Sequence, residues 1–157
     1  MSSCGWIGKM EEFFNRSTRS LTEADSAFAP QPGMFTVAQA VAHVAHTIDW
    51  FSAAAFEGKG FDMDFAAHDK VVRQFTSLTK ARAELAAAFD RMKKLADATS
   101  AEQMSKSVIP PGTVIMPGAT PIMILSAAED HTAHHRGALT VYTRLRGKTP
   151  PMPYMDM

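Results

Sequence analysis

Residues 120–147 read TPIMILSAAEDHTAHHRGALTVYTRLRG, and how this stretch is read decides the fold. A helix starting near Thr120 puts Pro121 at a favoured first-turn position. Gly147 is a natural C-terminal stop, and the proline-rich KTPPMPYMDM that follows cannot continue the helix. Between these signals lie three of the six histidines, His131, His134 and His135. With His131 at zero on a helical wheel, Ile124 and Tyr142 fall at roughly +20°, Ala138 at about −20°, Leu145 at about −40° and Leu139 at about +80°. His135, at roughly +40°, falls in the middle of this apolar stripe, while His134, at about −60°, lies on its edge.

Three further helical segments precede this one. The first is predicted from about Trp6 to Leu21, with Ile7, Met10, Phe13 and Phe14 at mostly helical spacing. APQPG at 29–33 then breaks the chain. Thr36 with Gln39 forms a capping-box pattern for a second helix running to about Phe56. An alanine-rich third helix is predicted from near Asp64 to about Asp97. SVIPPGTVIMPGATP, residues 107–121, reads as a long crossover loop. Its Val108, Ile109, Val114, Ile115 and Met116 are apolar enough to be expected on the bundle, beside the open position of any metal. Four helices with one long connection imply an all-α four-helix bundle, a single domain over 1–157.

Bulk properties exclude several classes. Sixteen basic residues balance sixteen acidic ones, against a broad nucleic-acid surface. No apolar run approaches the ~20 residues needed to cross a bilayer. MSSCGWIGKMEEFF lacks the pattern of a signal peptide, and a single cysteine, Cys4, cannot form an internal disulfide. A cytoplasmic protein without nucleic-acid or membrane partners is therefore expected. Phe13, Phe14, Phe51 and Phe56 spread over more than one face of the first two helices, which points to a homodimer through those faces.

The second helix contains VAHVAHTIDWF, 41–51. With His43 at zero, Ala54 lies at about +20°, Ala40 at +60°, Phe51 at +80° and Trp50 at −20°, so His43 shares the apolar arc and His46, at about −60°, is marginal. His43, His131 and His135 are thus expected to converge from two helices. A lone inward histidine is ordinarily a hydrogen-bonded core residue. Three together would need three sets of partners in a low-dielectric interior, and one divalent metal satisfies all three lone pairs.

These residues resemble the DinB-like superfamily of damage-inducible and YfiT-like proteins. Phe35, Thr36, Val37, Gln39 and His43 are similar to its second-helix pattern. His131, His135, Arg136, Gly137, Tyr142, Arg144, Gly147, Pro150, Pro151 and Tyr154 are similar to its fourth-helix signature and tail. The resemblance covers nearly the whole chain. It implies an up-down-down-up bundle, often dimeric, with a divalent metal, commonly nickel or zinc, on His43, His131 and His135. Ala138 departs from the pattern, which often has glutamine there. The family includes transferases and amide hydrolases of low-molecular-weight thiols such as bacillithiol and mycothiol.

Three protein nitrogens leave a coordination position open for a water or a substrate thiolate. A metal-dependent hydrolase or thiol transferase is the expectation. The alternative is a non-catalytic, dimeric metal-binding scaffold or small-molecule binder linked to stress response. No obvious general base accompanies the metal. Asp130 is a candidate hydrogen-bond partner of a ligand, against an ordinary solvated acid. His134 and His46 are candidates for a proton shuttle or an alternative ligand, against plain helix-edge histidines. Trp50 and Tyr142 flank the ligands, where core packing competes with pocket lining. His68 has no partner by spacing and is expected in solvent. Arg136 and Arg144 are expected on the outer surface.

Overall fold

The computed structural model describes residues 2–155. Its helices are α1 (Ser3–Thr18), α2 (Val37–Phe56), α3 (Phe65–Val72), α4 (Leu78–Asp97), α5 (Ala101–Met104) and α6 (Pro121–Leu145), with a 3-10 turn at Glu23–Asp25. No strand occurs among the described residues. Helices α1 and α2 each pack against both α4 and α6. Ile7, Phe14, Ile48, Leu85, Phe89 and Ile124 meet in the shared core, all fully buried.

Side-chain caps set the helix starts. Thr36 Oγ1 accepts from the Gln39 N–H at 3.2 Å, and Gln39 Oε1 accepts from the Thr36 N–H at 3.0 Å. Thr120 Oγ1 accepts from the Met123 N–H, with Pro121 in the first turn. Gly147 takes φ +71° just past the end of α6, a conformation that costs a β-carbon-bearing residue more.

The single helix expected over 64–97 is instead two. Ser77 caps α4 by accepting from the Lys80 N–H at 3.2 Å. The next free N–H groups of α4 are satisfied from outside. Leu78 N–H donates to Ser26 Oγ at 2.8 Å, and Thr79 N–H donates to the Glu23 carboxylate at 2.7 Å. The turn at 23–26 therefore fixes where α4 begins, and its carboxylate also suits the positive end of the helix dipole. Released from α4, α3 packs on α2 beside the histidines.

Residues 105–120, between α5 and α6, are tied by Val108 N–H and Ile109 N–H to Ala119 O and by Gly118 N–H to Ile109 O. Ile109 and Ala119 are buried, but Val114 is 88% exposed. The expected place of this loop beside the metal position is corrected. With Gly60, Phe61 and Met63 it lines a separate cavity of about 220 Å³, and α3 takes the place beside the histidines.

Past the end of α6, Arg146 and Lys148 close on Asp25, whose side chain is 1% exposed. Burial alone would raise this carboxyl. Hydrogen bonds from Lys148, the Thr22 N–H and Arg146 outweigh it and hold the group well below the usual carboxylate range. Among the described residues, no helix is long and apolar enough to cross a membrane.

Candidate metal centre

The apolar arcs of α6 and α2 decide how deep the histidines sit. On α6 the buried residues run from Ile124 and Tyr142 through Ala128 and Leu139 to Leu125, Thr132 and Thr143. Relative to His131 this arc spans about +20° to +120°. Ala138 and Leu145 lie outside it and are exposed, so the stripe that put His135 at its middle is corrected. His131 lies just outside the edge of this arc and His135 just inside it; both are half-buried, as is His43 on α2. A rim position lets the three side chains meet each other while one side stays open.

They do meet. One nitrogen from each of His43, His131 and His135 lies within 4.8 Å of the other two. Ring centroids are 4.6 Å apart for His43–His135, 5.2 Å for His43–His131 and 4.5 Å for His131–His135. His131 Nε2 and His135 Nε2 are 3.2 Å apart. Two nitrogens each about 2.0–2.1 Å from a tetrahedral zinc are about 3.3 Å from one another, so this edge fits a shared ion.

Burial first, and neighbouring histidine charges in the same direction, together lower all three imidazoles to about 4. At neutral pH each ring is therefore uncharged, the form that ligates metal. Thr47 adds a constraint that reading the sequence missed. Its hydroxyl donates to a backbone carbonyl, His43 O or Val44 O, each at 3.0 Å. Toward His131 Nδ1, 3.3 Å away, the Thr47 oxygen must then accept. This geometry favours the Nδ1–H tautomer, whose Nε2 lone pair faces the cluster. The signal was present, since Thr47 lies at roughly +40° from His43 on the wheel.

A cavity of about 480 Å³ opens beside His43 and His131, walled by Phe35, Trp50 and Phe65. His46 and His68 line it too. His68, expected in solvent, is half-buried, with Nδ1 2.6 Å from His46 Nε2. Its Nε2 lies 3.5 Å from the Asp62 carboxylate. This second pair depends on the break before α4, which spacing alone did not reveal. Burial, then the charge of His68, lowers His46.

The other candidates fall in different places. Trp50 lines the cavity, its indole N–H donating to Asp62 O at 2.8 Å. Tyr142 is buried and donates its hydroxyl to Phe35 O at 3.0 Å, so it braces the ring lying 5.2 Å from His43. His134 is exposed, edge-on to His135 at 5.0 Å. Asp130 is exposed, and its charge opposes the lowering of His131. Arg144 is exposed, whereas Arg136 is half-buried, its guanidinium over the Phe13 and Tyr154 rings. Cys4 is half-buried at the other end of α1. Burial and the Asp97 carboxylate push its thiol up, which makes it a poor nucleophile.

Comparison with known proteins supplies the relationship. The crystal structure of a DinB-like protein, YjoA, from Bacillus subtilis is similar to this chain, with TM-score 0.72 at 17% identity over 98% of each chain. At that identity the likeness shows a shared fold. Among the curated proteins nothing matches. The family model described as the DinB superfamily matches residues 10–139, most of the chain. The chain belongs to the DinB superfamily.

Proposed function

We propose that His43, His131 and His135 hold one divalent ion and that the protein is a metal-dependent hydrolase or low-molecular-weight-thiol transferase. The observation that carries this reading is the convergence of three neutral imidazoles, from two helices, at the end of an open cavity. Nickel and zinc both suit an all-imidazole donor set. Such an ion supplies Lewis acidity, toward a water or a thiol. The chain's own residues do the rest. Thr47 favours the Nδ1–H tautomer of His131. The aromatic walls restrict water around the open position. The His46–His68 pair, with Asp62 beside His68, supplies a ring-nitrogen lone pair as the proton acceptor; the sequence offered His46 for such a role but not its partner.

Family membership and the pairing of α1 and α2 with α4 and α6 support an up-down-down-up bundle, a single domain over 1–157 with 105–120 as its long crossover. The single cysteine and balanced charge support a cytoplasmic protein without nucleic-acid partners. The deciding experiment is metal analysis of tag-free protein. Wild type should carry close to one ion per chain, His135→Ala should lose most of it, and His134→Ala should keep it. An empty wild type, or a His134→Ala variant that empties while His135→Ala stays full, defeats the assignment. Exchange of a bound water for azide then separates an enzyme from a closed, metal-stabilised scaffold.

A further inference from the structure

The walls of the 480 Å³ cavity carry few unsatisfied polar groups. His46 and His68 are bonded to each other, and the Trp50 N–H is given to Asp62 O. Thr47 is engaged with backbone carbonyls and with His131. Asp69 is the acidic residue among the described lining residues, and it is paired with Arg73 at 2.8 Å. That arginine in turn lies over the Phe35 ring at 4.9 Å. A ligand body placed here meets mainly aromatic faces, and few polar atoms remain to answer its hydrogen-bonding demands. A sugar's several hydroxyls would lose more water than these few can replace, and a carboxylate would face Asp69 with the nearest cation already engaged.

We infer that this cavity takes a neutral ligand with a flat, apolar ring system and one metal-binding head, and that it rejects carboxylate-bearing or sugar-rich molecules. The head group rests on the metal reading above; the body rests on the cavity walls alone. Size agrees, since a cavity of about 150 Å³ is enough for benzene. Three rings surround the body: Phe35 beside His43, Trp50 backed by Phe61 at 4.5 Å, and Phe65 on α3. Phe65 is 54% exposed, so it forms the outer edge of the cavity and not part of the core. Within the proposed activity, this wall suits the bond-bearing or acceptor substrate and leaves a polyhydroxylated thiol no place except at the metal itself.

The test uses full-length zinc-loaded protein and three hydroxamates: benzohydroxamate, its 4-carboxylate, and acetohydroxamate. Affinity is read from the Trp50 indole N–H in ¹H–¹⁵N spectra, assigned with Trp50→Phe. Benzohydroxamate should bind at least tenfold tighter than acetohydroxamate, and the 4-carboxylate should lose at least tenfold against benzohydroxamate. Phe65→Ala should weaken benzohydroxamate about fivefold and leave acetohydroxamate unchanged, and Phe65→Lys should narrow the carboxylate penalty. A 4-carboxylate that binds as tightly as benzohydroxamate overturns the inference, as does a Phe65→Ala variant that weakens both uncharged hydroxamates equally. Benzyl alcohol and 4-(hydroxymethyl)benzoate, titrated into metal-free protein, separate the two readings. If zinc adds nothing to hydroxamate affinity, the metal assignment fails. The ring preference is then judged by whether benzyl alcohol alone moves the Trp50 signal, and failure of that shift overturns it.

Discussion

The pH at which a bound ion would leave this centre depends on imidazoles that burial has already made reluctant to take protons. All three stand near 4, against about 6.5 for a free side chain. Protons therefore compete for the lone pairs only in acid. Zinc-loaded protein is expected to keep its metal at pH 5.5 and to release it as the pH approaches 4, followed by metal analysis after rapid desalting. Release near 6.5 would mean that the imidazoles titrate as free side chains. The same shifts act on folding. In metal-free protein the unfolded chain binds these protons at a higher pH than the folded chain does. The contribution is fully present above about 6.5 and is lost as the pH falls toward 4. Thr47 gives a separate handle on the same site. Thr47→Val keeps the shape and removes the oxygen that accepts from His131 Nδ1. Metal affinity should drop by about 10–100-fold, the usual effect of losing such an outer partner, with the helical circular-dichroism signal unchanged.

Helix ends, more than helix interiors, decide what this site contains. The break at 73–77 frees α3 to bring Phe65, His68 and Asp69 to the cavity. Ser77 secures that break as the cap of α4, and Glu23 and Ser26 secure it from across the bundle. Ser77→Ala should cost about 1 kcal/mol in urea unfolding. Glu23→Gln should move the midpoint in the same direction, since it weakens a charge-assisted bond at a helix N-terminus. If either change leaves the unfolding midpoint in place, the cap is not what holds the break. These elements also explain what the sequence disclosed. The convergence of His43, His131 and His135 was legible because a regular helix turns a fixed angle per residue. So were Thr36 and Thr120 as helix starts, because capping acts over three residues. His68 was not legible. Its place depends on a tertiary contact between Glu23 and Thr79, and continuous alanine-rich periodicity from 64 to 97 conceals that contact. The apolar loop was misplaced for a related reason: its hydrophobicity required burial of some residues but did not say against which end.

At the scale of the whole molecule, the aromatic residues that suggested a dimer through the first two helices are largely used internally. Phe14 and Phe51 are buried in the core. Phe13 meets Tyr154 edge-on, and Phe56 packs partly against the core. The apolar surface that remains is elsewhere. Met123, Val141 and Leu145 on α6 are each about half exposed, and on the wheel they share one outward arc with His134, between about −80° and −40°. A homodimer, the arrangement already proposed from the family habit, would gain most by burying this arc around a two-fold axis. One helix face alone falls short of the ~800 Å² per partner of a stable interface, so neighbouring residues must join it. Multi-angle light scattering at micromolar concentration is expected to give twice the chain mass. Val141→Glu with Leu145→Glu should return it to the monomer mass, because two carboxylates would be desolvated at the contact. The paired change Phe13→Ala with Phe56→Ala should lower stability without altering the mass. A wild-type monomer excludes the dimer, and a dimer that survives both glutamates excludes this face of α6 as its interface.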